Sequence, residues 1–255
     1  MLSGLTTGEL GQTAIYLPRV DSTNLWLKKN GADLPHGAIC WTTRQTAGRG
    51  RFGREWKSAQ NQALSMSLLI KSANNVSLLP LVCGMALCRA LDKLANQTFL
   101  IKWPNDIICQ NRKICGILCE SVNAETMFVV AGIGVNLLQT KDTFKLAGLP
   151  SAGSVYMVSG RKLRAEETAA AILNELEPLW QTLTDSGFGA LRSEYENKCI
   201  TVGREVCVMT PDGEISFQGT AVGIALDGCL LVKSGENIVP VYAGEVTVRG
   251  FDGYI

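Results

Sequence analysis

The chain has 255 residues, 46% of them hydrophobic and 18% charged, with 24 basic against 23 acidic side chains for a net charge of +1. This composition supplies a substantial core and excludes disorder, and the near-neutral balance excludes a global field that recruits nucleic acid. Nine scattered cysteines form no C-x-x-C pair and lie partly inside apolar runs, which suits free thiols in a reducing compartment better than a disulfide framework.

Residues 1–20 lack a cationic start followed by an apolar core, and no apolar run approaches the ~18 residues of a membrane span. A soluble cytoplasmic protein with no membrane partner is expected. The length allows one large domain, or one with a small appendage.

In chain order, residues 14–20 read as a short edge strand broken by Pro18. Asp21-Ser22-Thr23-Asn24 ahead of Leu25–Lys29, with Gly31 beyond, predicts a capped helix. A strand over 38–43 leads into a glycine-rich basic loop, Gln45 to Arg54, and residues 63–70 alternate as a second strand. Leu78 to Leu94 has helical periodicity. Residues 98–120 read as strand, turn, strand, with Lys113 opening the return strand. Thr126 to Leu138 is a further strand in which Gly132 and Gly134 mark a close approach to the backbone. Residues 140–160 read as loop. Leu163 to Ser186 is helical, with Pro178 forcing a kink or break, and 188–198 is a short helix. From Ile200 the texture changes to five short strands in about 55 residues, a small β-barrel, with a boundary near residue 200.

The loop from Gln45 to Arg54 spells G-x-G-x-x-G. A dinucleotide fingerprint needs its third glycine to open a helix and an acid ~20 residues on. Gly53 is followed by Arg54-Glu55-Trp56-Lys57-Ser58, without a helical apolar face, and Lys71–Ala73 holds no acid. The Rossmann reading fails, and no P-loop motif exists. What the loop does offer is Arg44, Arg49, Arg51 and Arg54 among glycines, with no carboxylate before Glu55. Planar, permanently charged guanidinium groups on a flexible backbone suit phosphate or carboxylate. A single histidine, His36 in a turn, leaves neither zinc-ligand spacing nor a serine triad. Cys115 and Cys119 share a strand face, where mutual packing explains them. The chemistry left is anion positioning by Arg, Lys and backbone donors, as in phosphoryl and acyl-phosphate reactions. Lys102-Trp103-Pro104-Asn105-Asp106 forms a polar corner, and Lys113 returns beside it.

Together, Ser22-Thr23-Asn24, Gln45-x-x-x-Arg49-Gly50-Arg51-x-Gly53-Arg54, Lys102 to Asp106, Lys113-x-x-Gly116-Ile117-Leu118-x-Glu120 and Gly132-Ile133-Gly134-Val135-Asn136 occur in the order of biotin protein ligases. The chain resembles this family over residues ~14–138 and in its terminal β-module. Lipoate ligases and octanoyltransferases resemble the same fold, but their arginine–glycine–glycine and histidine-bearing segments are absent. The resemblance implies an α+β catalytic domain over residues 1–199, its mixed sheet flanked by helices like that of class II aminoacyl-tRNA synthetases. An SH3-like barrel would span 200–255. It implies an ATP-dependent ligase that makes biotinyl-5′-AMP and passes biotin to one lysine of a carboxyl-carrier protein, in acetyl-CoA carboxylase and related carboxylases. ATP with Mg2+ held by its phosphates, rather than by a protein metal site, would be required. A homodimer is left open.

Carried over by position, Ser22, Thr23, Asn24 and Gln45 would bind the biotin head, whose ureido group suits short hydroxyls and amides. Arg49, Gly50 and Arg51 would neutralise the carboxylate and α-phosphate, with Arg54 on the nucleotide side. Lys113 would lie between carboxylate and phosphate in both steps. Trp56 would line the wall under the closed loop, and Asn136 would contact the nucleotide or its metal. Asp106 would orient the incoming amine, and Asn105 would support that corner beside the nucleotide. The loop is expected to be a lid, mobile when empty. The biotin motif begins at Ser22, which leads to the expectation of a monofunctional ligase without a DNA-binding domain. A lipoate or octanoate transferase, and a regulator that binds the adenylate without transferring, are the alternatives.

Overall fold

The computed structural model describes residues 2–72, 74–123, 127–243 and 247–250. Thr126, read above as the start of a strand, lies outside these, as do residues 245–246, where the sequence reading begins its last C-terminal strand at Glu245, and the tail of the 200–255 unit beyond residue 250. The first sheet has seven strands: β1 (Ala14–Tyr16), β2 (Ile39–Thr42), β3 (Ala63–Ile70), β4 (Leu100–Lys102), β5 (Asp106–Cys109), β6 (Arg112–Val122) and β7 (Phe128–Asn136). Their spatial order is β1-β2-β3-β7-β6-β5-β4. Only β1 runs parallel to its neighbour; every other pair is antiparallel, so the sheet is mixed.

Helices α2 (Leu79–Ala95) and α5 (Ala165–Ser186) pack together on one face of this sheet, burying Leu87, Leu91, Leu173 and Leu176 in the main core. Helix α1 (Thr23–Asn30) covers the other face through Leu27, against Cys40, Leu69 and Val130. All eight residues of β3 are therefore buried, including Ser65 and Ser67. Burial on both faces overrides the alternation that would otherwise leave one face wet.

Three sequence expectations change. Residues 140–160 contain two helices, α3 (Lys141–Leu146) and α4 (Val155–Ser159), started by side-chain caps from Thr140 and Ser154. Helix α5 runs unbroken past Pro178. That proline faces solvent, while Leu176, Leu179, Trp180 and Leu183 around it are buried, so core packing holds the helix through the lost hydrogen bond. Cys115 and Cys119 lie four residues apart on an extended strand, roughly 13 Å at 3.3 Å per residue. Each instead feels a cysteine of α2, Cys88 for the first and Cys83 for the second. All nine cysteines are free thiols. Burial pushes Cys40 and Cys83 up to about 12.

After helix α6 (Arg192–Lys198) the chain forms a second, antiparallel sheet. Its strands are β8 (Glu205–Met209), β9 (Ile215–Ile224), β10 (Leu230–Ser234), β11 (Asn237–Val241) and β12 (Thr247–Gly250), in the order β11-β10-β9-β8-β12. The two sheets are tied at Trp103. Its backbone N–H donates to Thr201 Oγ1 at 3.0 Å, and its indole Nε1 donates to the Gly228 carbonyl at 3.1 Å. The edge of β4 is covered by the segment entering the second sheet, where Ile200 N donates to Ile101 O at 2.8 Å.

Candidate active site

The first turn of α1 opens the site. Ser22 is extended (φ −150°, ψ 129°) and its hydroxyl accepts from Leu25 N at 3.4 Å, the expected cap. Thr23 and Asn24 therefore start the helix with their side chains against the sheet, both buried. Gln45 reaches across from the basic loop, its Oε1 accepting from Thr23 N at 3.0 Å.

The loop itself is folded back on itself. Gly50 N donates to Arg54 O at 2.7 Å and Trp56 N to Gly48 O at 2.9 Å, with Arg49 and Glu55 bridged as antiparallel partners. Phe52 takes a left-handed conformation at the tip (φ 56°), and the Arg51 guanidinium lies 4.8 Å from its ring centroid. Arg51 also spans to both sheets. Its Nη1 donates to Asn105 Oδ1 at 3.1 Å and its Nη2 to the Ala243 carbonyl of the second sheet's segment. Burial draws its pKa down from the usual guanidinium range, against the opposing pull of Asp106.

The polar corner is built by register. Lys102 pairs with Asp106 across the β4–β5 hairpin, through a cis Trp103–Pro104 peptide. Asn105 closes the corner onto β6, its Nδ2 donating to Ile117 O at 3.0 Å while Ile117 N donates to Asn105 O at 2.9 Å. Lys113 and Asp106 form an ion pair at 2.6 Å, so each fixes the position of the other's charge.

The floor is strand β7. A Cβ on Gly134 would lie 2.5 Å from Trp56 Cε2, and one on Gly132 would lie 2.2 Å from Asn24 Oδ1. Only glycine admits those two side chains, which is the close approach expected at these positions. Trp56 thus lies flat on the sheet with Lys113 Nζ 5.7 Å from its ring, and its Nε1 is buried without a hydrogen-bond partner among the described residues. Asn136 ends the strand, its Oδ1 accepting from Gln139 Nε2 at 2.8 Å.

These elements enclose a cavity of about 280 Å³. Every candidate lines it: Ser22, Thr23, Asn24, Gln45, Arg49, Gly50, Arg51, Arg54, Trp56, Asn105, Asp106, Lys113 and Asn136. Hydroxyls and amides gather at the α1 end, and cations gather toward the corner. The division suits a neutral polar group joined to an anion. Also lining it are Lys102, Ser65, Leu149, Ala152 and Val248 of the second sheet. Lys102 belongs to the corner motif, in which nothing local distinguishes it as a cavity residue. Leu149, Ala152 and Val248 are ordinary apolar residues whose placement depends on tertiary folding.

The Biotin/lipoate A/B protein ligase family matches residues 16–136, and the Biotin protein ligase C terminal domain matches residues 201–249. A Biotin--[acetyl-CoA-carboxylase] ligase of Paracoccus denitrificans is 32% identical over 252 residues, covering 92% of this chain and all (100%) of that protein. The Bifunctional ligase/repressor BirA of Bacillus subtilis is 30% identical, covering 95% of this chain and 76% of that protein. Among solved structures, the biotin protein ligase from Aquifex aeolicus in complex with biotin and ATP aligns with a TM-score of 0.82 at 29% identity, over 94% of this chain and 99% of that one. The fold and site therefore define a ligase of this kind, and the chain belongs to the biotin protein ligase family.

Proposed function

We propose that the chain is an ATP-dependent biotin protein ligase acting in two steps. The carboxylate of biotin attacks the α-phosphorus of ATP, the bond to pyrophosphate breaks, and biotinyl-5′-adenylate forms. The ε-amine of one lysine on a biotin carboxyl-carrier domain, in acetyl-CoA carboxylase or a related carboxylase, then attacks the acyl carbon. An amide forms, the amine loses a proton, and AMP leaves.

The observation that carries this reading is the convergence of five separated motifs on one cavity with a polar-neutral end and a cationic end. Ser22, Thr23, Asn24 and Gln45 are assigned to the biotin head, where hydroxyl and amide groups match a ureido ring. Arg49, Gly50 and Arg51 face the carboxylate and α-phosphate, and Arg54, Asn105 and Asn136 face the nucleotide. The partnerless indole N–H of Trp56 suits an acceptor atom on the same ligand. Lys113 has three ammonium donors and spends one on Asp106, which leaves two for charge that develops as the phosphorus is attacked. Asp106, beside it, attracts and orients the carrier amine. The basic loop is the lid that excludes water from the mixed anhydride.

Among the described residues no group of three His, Cys, Asp or Glu side chains could hold a metal ion. In this reading magnesium travels on the triphosphate. The proposal extends to architecture: a class II synthetase-like catalytic domain over 1–199 and an SH3-like barrel over 200–255 that serves carrier docking or site support. Among the described residues no helix is long and apolar enough to cross a membrane, and nine free thiols suit a reducing cytoplasm.

The test is incubation with ATP, a purified carrier domain and either labelled biotin or labelled lipoate. Biotin on the carrier, with pyrophosphate and AMP released, is the expected result. Lipoate alone on the carrier would overturn the substrate, and adenylate without labelled carrier would make the chain a sensor rather than a ligase.

A further inference from the structure

We propose that Glu120 is a positioning residue that locks the Asn24 carboxamide as a hydrogen-bond acceptor toward the ligand head. This rests on the reading of Ser22–Asn24 as the head subsite. Asn24 Nδ2 carries two hydrogens. One goes to Leu118 O at 3.1 Å and the other to Glu120 Oε2 at 2.8 Å, so no donor remains for a ligand. Oδ1 has two lone pairs. Ser67 Oγ donates to one at 2.6 Å, and among the described residues the second is the capacity the carboxamide has left in the cavity.

An asparagine amide alone could present either end, because the two orientations have the same shape. The Leu118 carbonyl and Glu120 together remove that freedom, and of the two only Glu120 is a side chain. Turning the amide over would set Oδ1 against both, acceptor against acceptor. The carboxylate is itself held, since Lys28 Nζ donates to Glu120 Oε1 at 2.9 Å. Lys28 lies one helical turn beyond Asn24 on α1, so one helix presents both the amide and the cation that anchors its lock. Gly132 completes the arrangement by leaving room for Oδ1.

The consequence is specificity. A fixed acceptor takes one N–H of a cyclic urea and gives nothing to a carbonyl in the same place. Ligands lacking that N–H leave Oδ1 facing an acceptor.

The isosteric E120Q variant tests this. A glutamine can give its oxygen to Lys28 and its amide to a reversed Asn24, which leaves the Leu118 carbonyl alone to oppose reversal and loosens the lock without changing shape. Adenylate formation is measured with biotin and with its two oxa-analogues, each replacing one ureido N–H by oxygen. In the unaltered protein one oxa-analogue should be markedly worse than biotin. In E120Q the KM for biotin should rise about tenfold, with kcat and the KM for ATP unchanged, and the penalty on that oxa-analogue should shrink. A biotin KM within twofold of the original, or an equal loss for biotin and both analogues, overturns the positioning role. Absence of any biotin-dependent adenylate in the unaltered protein would overturn the head subsite itself.

Discussion

Lys113 enters the reaction as half of a tight ion pair, and its removal would leave Asp106 at the corner without that cation. Losing one preorganised donor at a developing charge costs about 3 kcal/mol, roughly a hundredfold in rate. Lys113→Ala should therefore slow biotin-dependent pyrophosphate release by about that factor, and a rate near that of the unaltered protein would contradict the role. The two glycines of β7 separate the subsites more finely. A methyl on Gly132 collides with Asn24 and one on Gly134 collides with Trp56. Gly132→Ala should raise the KM for biotin above all, and Gly134→Ala the KM for ATP. Steady-state kinetics with each substrate varied in turn checks the split, and identical effects from both would contradict it.

At the level of elements, α5 does more than cover the sheet. Glu177 receives backbone N–H groups from Gly8 at 2.6 Å, Glu9 at 2.9 Å and Leu10 at 2.7 Å, pinning the segment that leads into β1. Burial pushes its carboxyl upward, but the three donors outweigh that and hold it below the usual range. With the folded pKa depressed, the stabilisation is present above the ordinary glutamate value and is lost as pH falls through the folded one. Glu177→Gln should lower stability by about 2 kcal/mol at pH 7. The gap should close as pH drops below about 4, read from urea midpoints at both pH values. How legible such elements are differs along the chain. The strands and α1 announced themselves, because Ser22, the β3 alternation and the Gln110–Arg112 turn carry local signals. Helices α3 and α4 did not: they are six and five residues long, and their caps Thr140 and Ser154 look like loop polarity. Pro178 misled for the opposite reason, since only the buried neighbours on either side reveal why the helix survives it.

Across the whole molecule, the site draws on both sheets. Arg51 bonds to the Ala243 carbonyl and Val248 lines the cavity, while Trp103 fastens the corner to Gly228. The motifs made the catalytic residues legible because turns and charges record chemistry locally. The contribution of Val248 was not legible, for an apolar residue shows its role only through what it packs against. Trp103→Phe orphans the Gly228 carbonyl and trims a fully buried ring, and should cost about 2 kcal/mol in global stability, measured by denaturant unfolding.

The thiols described with the core give the protein an internal gauge of its own opening. Cys40 and Cys83 are wholly buried and, near 12, hold almost no thiolate at neutral pH. An alkylating reagent needs both contact and thiolate. Modification at these two positions must wait until the surrounding sheet and helix part, so its rate counts excursions of the folded state rather than encounters at its surface. Cys40 belongs to the small cluster beneath α1 and Cys83 to the large one beneath α2 and α5. The pair therefore reports separately on the two faces of one sheet, and a ligand that closes the site should slow the first clock whether or not it slows the second.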